Sequence, residues 1–138
     1  MNSPKINIHI EEILRNYKNI AVVGLSDKPF RDSHVVARFM LSQGYNVFPV
    51  NPNFKTILDT TSYPDLGSIE GKVDLVDIFR NPKEVDPIID QAIEIGAKAV
   101  WMQLGVINYD AASKALDAGL QVVMDRCWKI EYGHYLGS

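Results

Sequence analysis

Cysteine is nearly absent: Cys127 stands alone among 138 residues. No internal disulfide can form, and a reducing compartment, the cytoplasm, is the expected location. Long apolar runs are missing too, and the longest hold about four residues against the roughly 20 of a membrane span. The opening MNSPKINIHIEEILRNY has no apolar stretch bounded by small residues, so no secretory signal is expected. Neither sign of charge is in large excess. Fourteen basic and 17 acidic residues leave a net charge of −3, which argues against a nucleic-acid binder working through a basic stripe. No pair of histidines, cysteines or carboxylates has metal-ligand spacing. The G-x-S-x-G elbow and the Walker A lysine motif are absent.

What is present is an ordinary globular composition, 46% hydrophobic and 22% charged. The length suits one domain over residues 1–138, with residues 1–17 as an N-terminal helical extension. Ile8, Ile10, Ile13, Leu14 and Tyr17 recur at helical spacing. Short β-branched or apolar runs then follow at Ile20–Leu25, Asn46–Val50, Val73–Phe79, Ala99–Met102 and Gln121–Met124 and read as strands; the first suits burial on both faces, and Asp74 and Asp77 break the apolar character of the third. Helical patterns separate them. One starts near Asp32 or Ser33 and stops before Gly44. A second opens with Asn81-Pro82-Lys83-Glu84, an asparagine cap followed by proline in the first turn. A third runs from Asn108 or Asp110 to Ala118, and a short one follows Trp128. Residues 54–71 read as a loop with one helical turn after Pro64. Alternation in units of about 25 residues points to βαβ units. The expected fold is a Rossmann-like, doubly wound α/β domain with a five-stranded parallel sheet in order 3-2-1-4-5 and helices on both faces.

In such a sheet ligands lie beyond the carboxyl ends of the strands. The first end, Gly24-Leu25-Ser26, leads through Lys28 and Arg31 into a helix N-terminus, a pattern that suits phosphate. Arg80 and Lys55 are further cations within reach of neighbouring strand ends. The full G-x-G-x-x-G spacing is absent, because no glycine follows Gly24 before Gly44. The second end reads Val50-Asn51-Pro52, with no acid before Asp59. NAD is therefore disfavoured, since its ribose is usually held by an acid at that position. A neutral end beside cations suits an adenine nucleotide with additional phosphate. Cys127 reads as a small buried hydrophobe or as a nucleophile, His34 as a surface residue or an anion contact, and Asp74 and Asp77 as satisfied structural carboxylates or as groups facing the crevice.

Laid out in order, Ile20–Ser26, Val47–Asn53, Val73–Arg80, Gly96–Gly105 and Val123–Cys127 resemble the stand-alone CoA-binding domain family. The same pattern is similar to the N-terminal domain of the succinyl-CoA synthetase alpha subunit and of NDP-forming acyl-CoA synthetases. The resemblance implies coenzyme A lying across the strand ends. Gly24, Leu25, Ser26, Lys28 and Arg31 would take the phosphates, and Val50, Asn51 and Pro52 the adenine side. Phe79, Arg80 and Asn81 would flank the middle of the ligand, and Gln103, Leu104 and Gly105 the pantetheine arm. The synthetases' phosphohistidine domain has no counterpart in the sequence, so ligase activity is not expected. A CoA or acyl-CoA binding module follows, with no catalytic residue assigned. Two alternatives stand beside it: a small thioester or redox enzyme using Cys127, and a dinucleotide-binding regulator. The expected partner is a small molecule, neither nucleic acid nor membrane. The apolar side chains of the N-terminal helix and of Trp128–Tyr135 could serve the domain's own core or a second copy.

Overall fold

The computed structural model describes residues 4–137. The ends of the expected 1–138 domain and 1–17 extension, residues 1–3 and 138, lie outside the described residues. Helix α1 (Ile10–Asn16) precedes β1 (Asn19–Val23), α2 (Asp32–Ser42) and β2 (Asn46–Val50). A small hairpin, β3 (Thr56–Ile57) and β4 (Thr60–Thr61), and a 3-10 turn at Leu66–Ser68 follow. Then come β5 (Leu75–Ile78), α3 (Val85–Glu94), β6 (Ala99–Met102), α4 (Tyr109–Asp117), β7 (Gln121–Val123) and α5 (Trp128–Leu136). The fold is Rossmann-like α/β: five parallel strands with helices on both sides.

Strand alternation divides the core in two. Ala21, Val23, Val76, Ile78, Val100 and Met102 face α3 and α4. Ile20, Val22, Leu75, Ala99 and Trp101 face α1, α2 and α5. Caps set where the helices begin. Asn108 accepts from the Ala111 amide, and Asn81 from the Lys83 amide ahead of the 3-10 turn that leads into α3. Helix α2 differs from expectation: Arg31 is its N-cap, without a side-chain cap bond. The Ser33 hydroxyl instead accepts from the Ser26 amide, 3.0 Å away, and so ties the helix start to the loop before it.

The expected strand order requires correction. The sheet runs β2-β1-β5-β6-β7, which is second, first, third, fourth and fifth of the five strands instead of 3-2-1-4-5. Pro49 explains the difference. Its carbonyl accepts from the Tyr63 amide on the side away from β1, while the Val50 carbonyl accepts from Gly24 toward β1. The nitrogen of Pro49 therefore faces outward. A further full strand on that side would need a donor that proline lacks, so β2 is the edge strand and β5 pairs with β1 on its other flank. The hairpin also departs from the loop expected over 54–71. Its turn residues Leu58 and Asp59 adopt φ of 55° and 58°, the left-handed pair that a tight two-residue hairpin turn demands and that Asn-Gly usually supplies.

At the other edge, Asn7 covers β7. Its amide donates to the Val122 carbonyl, and its side chain exchanges bonds with Met124 in both directions. This occupies a strand edge that would otherwise be open to pairing. Among the described residues no helix is long and apolar enough to cross a membrane.

Candidate functional site

The corrected order moves the switch point. The chain leaves β1 in one direction for β2 and returns past it to β5, so the crevice lies above the carboxyl ends of β1 and β5. Gly24 and Phe79 meet there. Gly24 has φ +84°, and a Cβ placed on it would lie 2.3 Å from the Phe79 carbonyl oxygen and 2.9 Å from Arg80 Cδ. Only glycine satisfies both the backbone conformation and this close approach.

From Gly24 the chain forms a loop and enters α2. Gly24, Ser26, Lys28, Arg31 and Phe79 line an open cavity of about 660 Å³, together with Phe30, Asn51 and Phe54. Asp27 and Asp32 also line it. They offset the two cations, so net charge alone gives this cavity little preference for an anion, and any such preference would rest on directed contacts and the first amides of α2. The loop is pinned from beneath. Ser26 Oγ accepts from the Lys28 amide, and His34 Nδ1 lies 2.9 Å from the Ser26 carbonyl. A carbonyl can only accept, so Nδ1 carries the proton. His34 is buried and serves the loop, in contrast to the surface position read from sequence.

A second cavity of about 540 Å³ shares Asp32 and Phe79 with the first. Arg80, Asn81, Gln103, Leu104 and Cys127 line it, and Val35, Val36, Val106, Lys129 and Ile130 complete the wall. A third space of about 320 Å³ is bounded by Gly24, Val50, Asn51, Pro52, Phe79 and Arg80. Most residues singled out from sequence thus border one of three adjoining cavities that share Phe79. Several of them have structural work there. Asn51 donates to the Leu25 carbonyl and accepts from the Asn53 amide, locking the first two strand ends together. Gln103 is buried and accepts from the Trp128 amide at the start of α5. Arg80 is paired with Glu84.

Two residues stand apart. The Leu25 side chain is fully buried in the core, so only its backbone can face a ligand. Gly105 borders none of the three spaces, and its amide donates to Asp125 Oδ1 at 2.8 Å. Asp125 has φ 61°. That turn carries the chain from β7 across the end of β6 and brings Cys127 to the second cavity. Phe30, Phe54 and Ile130 were not singled out from sequence. Phe30 and Ile130 are exposed large apolar side chains, a property that sequence alone does not reveal.

Beneath the cleft lies Asp77. It is fully buried on the face of α2 and α5, in register with Val22 and Trp101. Neither carboxyl oxygen has a hydrogen-bond partner, and the indole Nε1 of Trp128 also lacks one. Burial pushes the Asp77 carboxyl well above the usual carboxylate range. The group is thus neutral over more of the pH scale than an ordinary aspartate. It is not the satisfied structural carboxylate of the simpler reading. Asp74 is: it accepts from the Asn19 amide and side chain. Among the described residues no three His, Cys, Asp or Glu side chains gather around a metal position.

A protein of Bacillus subtilis strain 168, the uncharacterized protein YneT, is 37% identical over 123 residues, covering 89% of this chain and 91% of that one. A hypothetical protein from Pyrococcus horikoshii OT3 superposes with a TM-score of 0.92 at 40% identity, over 99% of this chain and all of the other. A dinucleotide-forming acetyl-coenzyme A synthetase 1 of Ca. Korarchaeum cryptofilum matches 83% of this chain with a TM-score of 0.73 and 25% identity. There the similarity spans 27% of the longer protein. A family model for a CoA binding domain matches residues 18–133, and the chain belongs to that CoA-binding domain family.

Proposed function

We propose that this protein binds coenzyme A or an acyl-CoA across the ends of β1, β5 and β6, without ligase activity of its own. The observation that carries the reading is the set of three adjoining cavities above the strand ends that share Phe79, with Gly24 packed against the Phe79 carbonyl. One end offers cations and helix amides to phosphates: Ser26, Lys28 and Arg31 at the head of α2. The space beside Val50, Asn51 and Pro52 receives the adenine. The pantetheine arm passes Phe79, Arg80 and Asn81 toward Gln103 and Leu104. Leu25 contributes only backbone, and Gly105 shapes the loop that follows β6. The absence of an acid at the end of β2 speaks against NAD.

Calorimetric titration of the purified protein with coenzyme A, dephospho-CoA and NAD tests the reading. Micromolar binding of coenzyme A, weaker binding of dephospho-CoA and none of NAD is the expected pattern. Heat from NAD alone would overturn it and favour the dinucleotide-binding alternative. A thioester or redox role for Cys127 is a second reading, favoured by the place of this half-buried residue in the wall of the second cavity. Incubation with acetyl-CoA followed by intact-mass measurement would then show one acetyl group on Cys127. An unchanged mass is expected if the protein only binds.

A further inference from the structure

The cleft is unequal along its length. Ser26, Asp27, Lys28, Arg31 and Asp32 line the first cavity beside Phe30, Phe54 and Phe79, whereas Val35, Val36, Phe79, Leu104, Val106 and Ile130 make up half the lining of the second. Leu104 is 65% exposed and Ile130 62% exposed, and both border this second cavity. Two large aliphatic side chains open to water beside one hollow gain from being covered, which suits an apolar ligand there. The hollow shares Asp32 and Phe79 with the polar cavity. One molecule with a polar end and an apolar end would therefore fit across both.

Resting on the proposed CoA reading, we infer that the second cavity holds the aliphatic acyl chain of an acyl-CoA thioester, with Leu104 and Ile130 closing over it. The ligand class is then a thioester of a fatty acid several carbons long, in preference to free coenzyme A. The thioester carbonyl would lie near the Asn81 and Gln103 side of the cavity and the chain along Val35, Val36 and Ile130.

The test is calorimetric titration with coenzyme A, acetyl-CoA, butanoyl-CoA and hexanoyl-CoA, on the wild type and on Ile130→Asp. In the wild type, affinity should rise about tenfold for each two methylenes added, as expected if most of each methylene is buried. Ile130→Asp lies on the surface and should fold normally, which its melting temperature would check. It should weaken hexanoyl-CoA at least tenfold more than it weakens coenzyme A. Equal affinity for coenzyme A and hexanoyl-CoA would overturn the inference while leaving CoA binding intact, and the cavity would then hold pantetheine alone. Silence with every CoA species would instead overturn the CoA reading itself, and this inference with it.

Discussion

The two faces of the sheet are built by different means. Against α3 and α4 the core is aliphatic: Val76, Ile78 and Val100 meet Val85, Ile89, Ala111 and Ala115. Lys114 on α4 clasps Asp86 and Asp90 on α3 from outside, and the two hollows beside α3 measure about 170 and 180 Å³. These are smaller than the roughly 300 Å³ at which small-molecule sites begin. Against α1, α2 and α5 the core instead holds Ser33, His34, Asp77 and Gln103, with Tyr45 bonded to the Leu14 carbonyl. Burial, with Tyr132 beside it, pushes the Tyr45 hydroxyl up to about 12. The cleft opens over this second face. Polar burial is costly, and it is concentrated where a loop and a helix start must be held in place for a ligand. Both faces bury large apolar side chains, and the second adds buried polar groups that fix the geometry of the loop and helix starts.

Substitutions can break or sharpen this contrast. The largest effect is expected where the faces join, at Gly24→Ala. A Cβ there meets main-chain atoms of Phe79 in a left-handed conformation. The variant should lose about 3 kcal/mol or more of stability, together with measurable CoA binding, as thermal melting and calorimetry would show. Ile89→Ala probes the aliphatic face alone. It should cost about 2–5 kcal/mol in stability, yet leave CoA affinity within twofold once the protein is folded. Lys28→Ala with Arg31→Ala is the mirror case. Charge-assisted contacts are worth about 1.5–3 kcal/mol each, so affinity should fall by two orders of magnitude or more while the melting temperature barely moves. If either variant moved both quantities, the division of labour between the faces would be wrong.

The last contrast belongs to Asp77→Asn and is a dependence on pH. The folded protein holds the Asp77 proton to a higher pH than the unfolded chain does. Its contribution to stability is complete below the ordinary carboxylate value of 3.8 and is lost as pH rises from there through the raised folded value. The asparagine variant lacks this loss. Its melting temperature should gain on the wild type as pH climbs from about 4 toward neutrality. Parallel melting curves across that range would show that the carboxyl carries no such burden.

Much of the fold was legible in the sequence. The β-branched runs, the Asn81 and Asn108 caps and the glycines that end helices located the five main strands and the helices between them. The order of the strands was not legible in the same way, because each apolar run suits a central position. Pro49 held the missing information: a strand with a proline belongs at an edge, or at least presents that nitrogen outward. The hairpin at Thr56–Thr61 escaped because Leu58 and Asp59 fill left-handed positions without glycine or asparagine to announce them. Within the candidate site, Gly24 was legible from the strand–glycine–helix pattern, since one conformational demand specifies one residue type. Side-chain walls were harder. Leu25 and Ile130 are both aliphatic, yet one is fully buried and the other 62% exposed. Only the packed structure distinguishes a core residue from the rim of a cavity.

The central claim is that one cleft above β1, β5 and β6 takes a CoA ligand, phosphates at α2 and thioester end toward α5. Amide chemical shifts of ¹⁵N-labelled protein, followed during titration with coenzyme A, test it most directly. The account predicts the largest changes at residues 24–34, 51, 79–81 and 103–105, with residues 85–94 of α3 nearly silent. Changes centred on α3 and α4, or spread evenly over the chain, would contradict it.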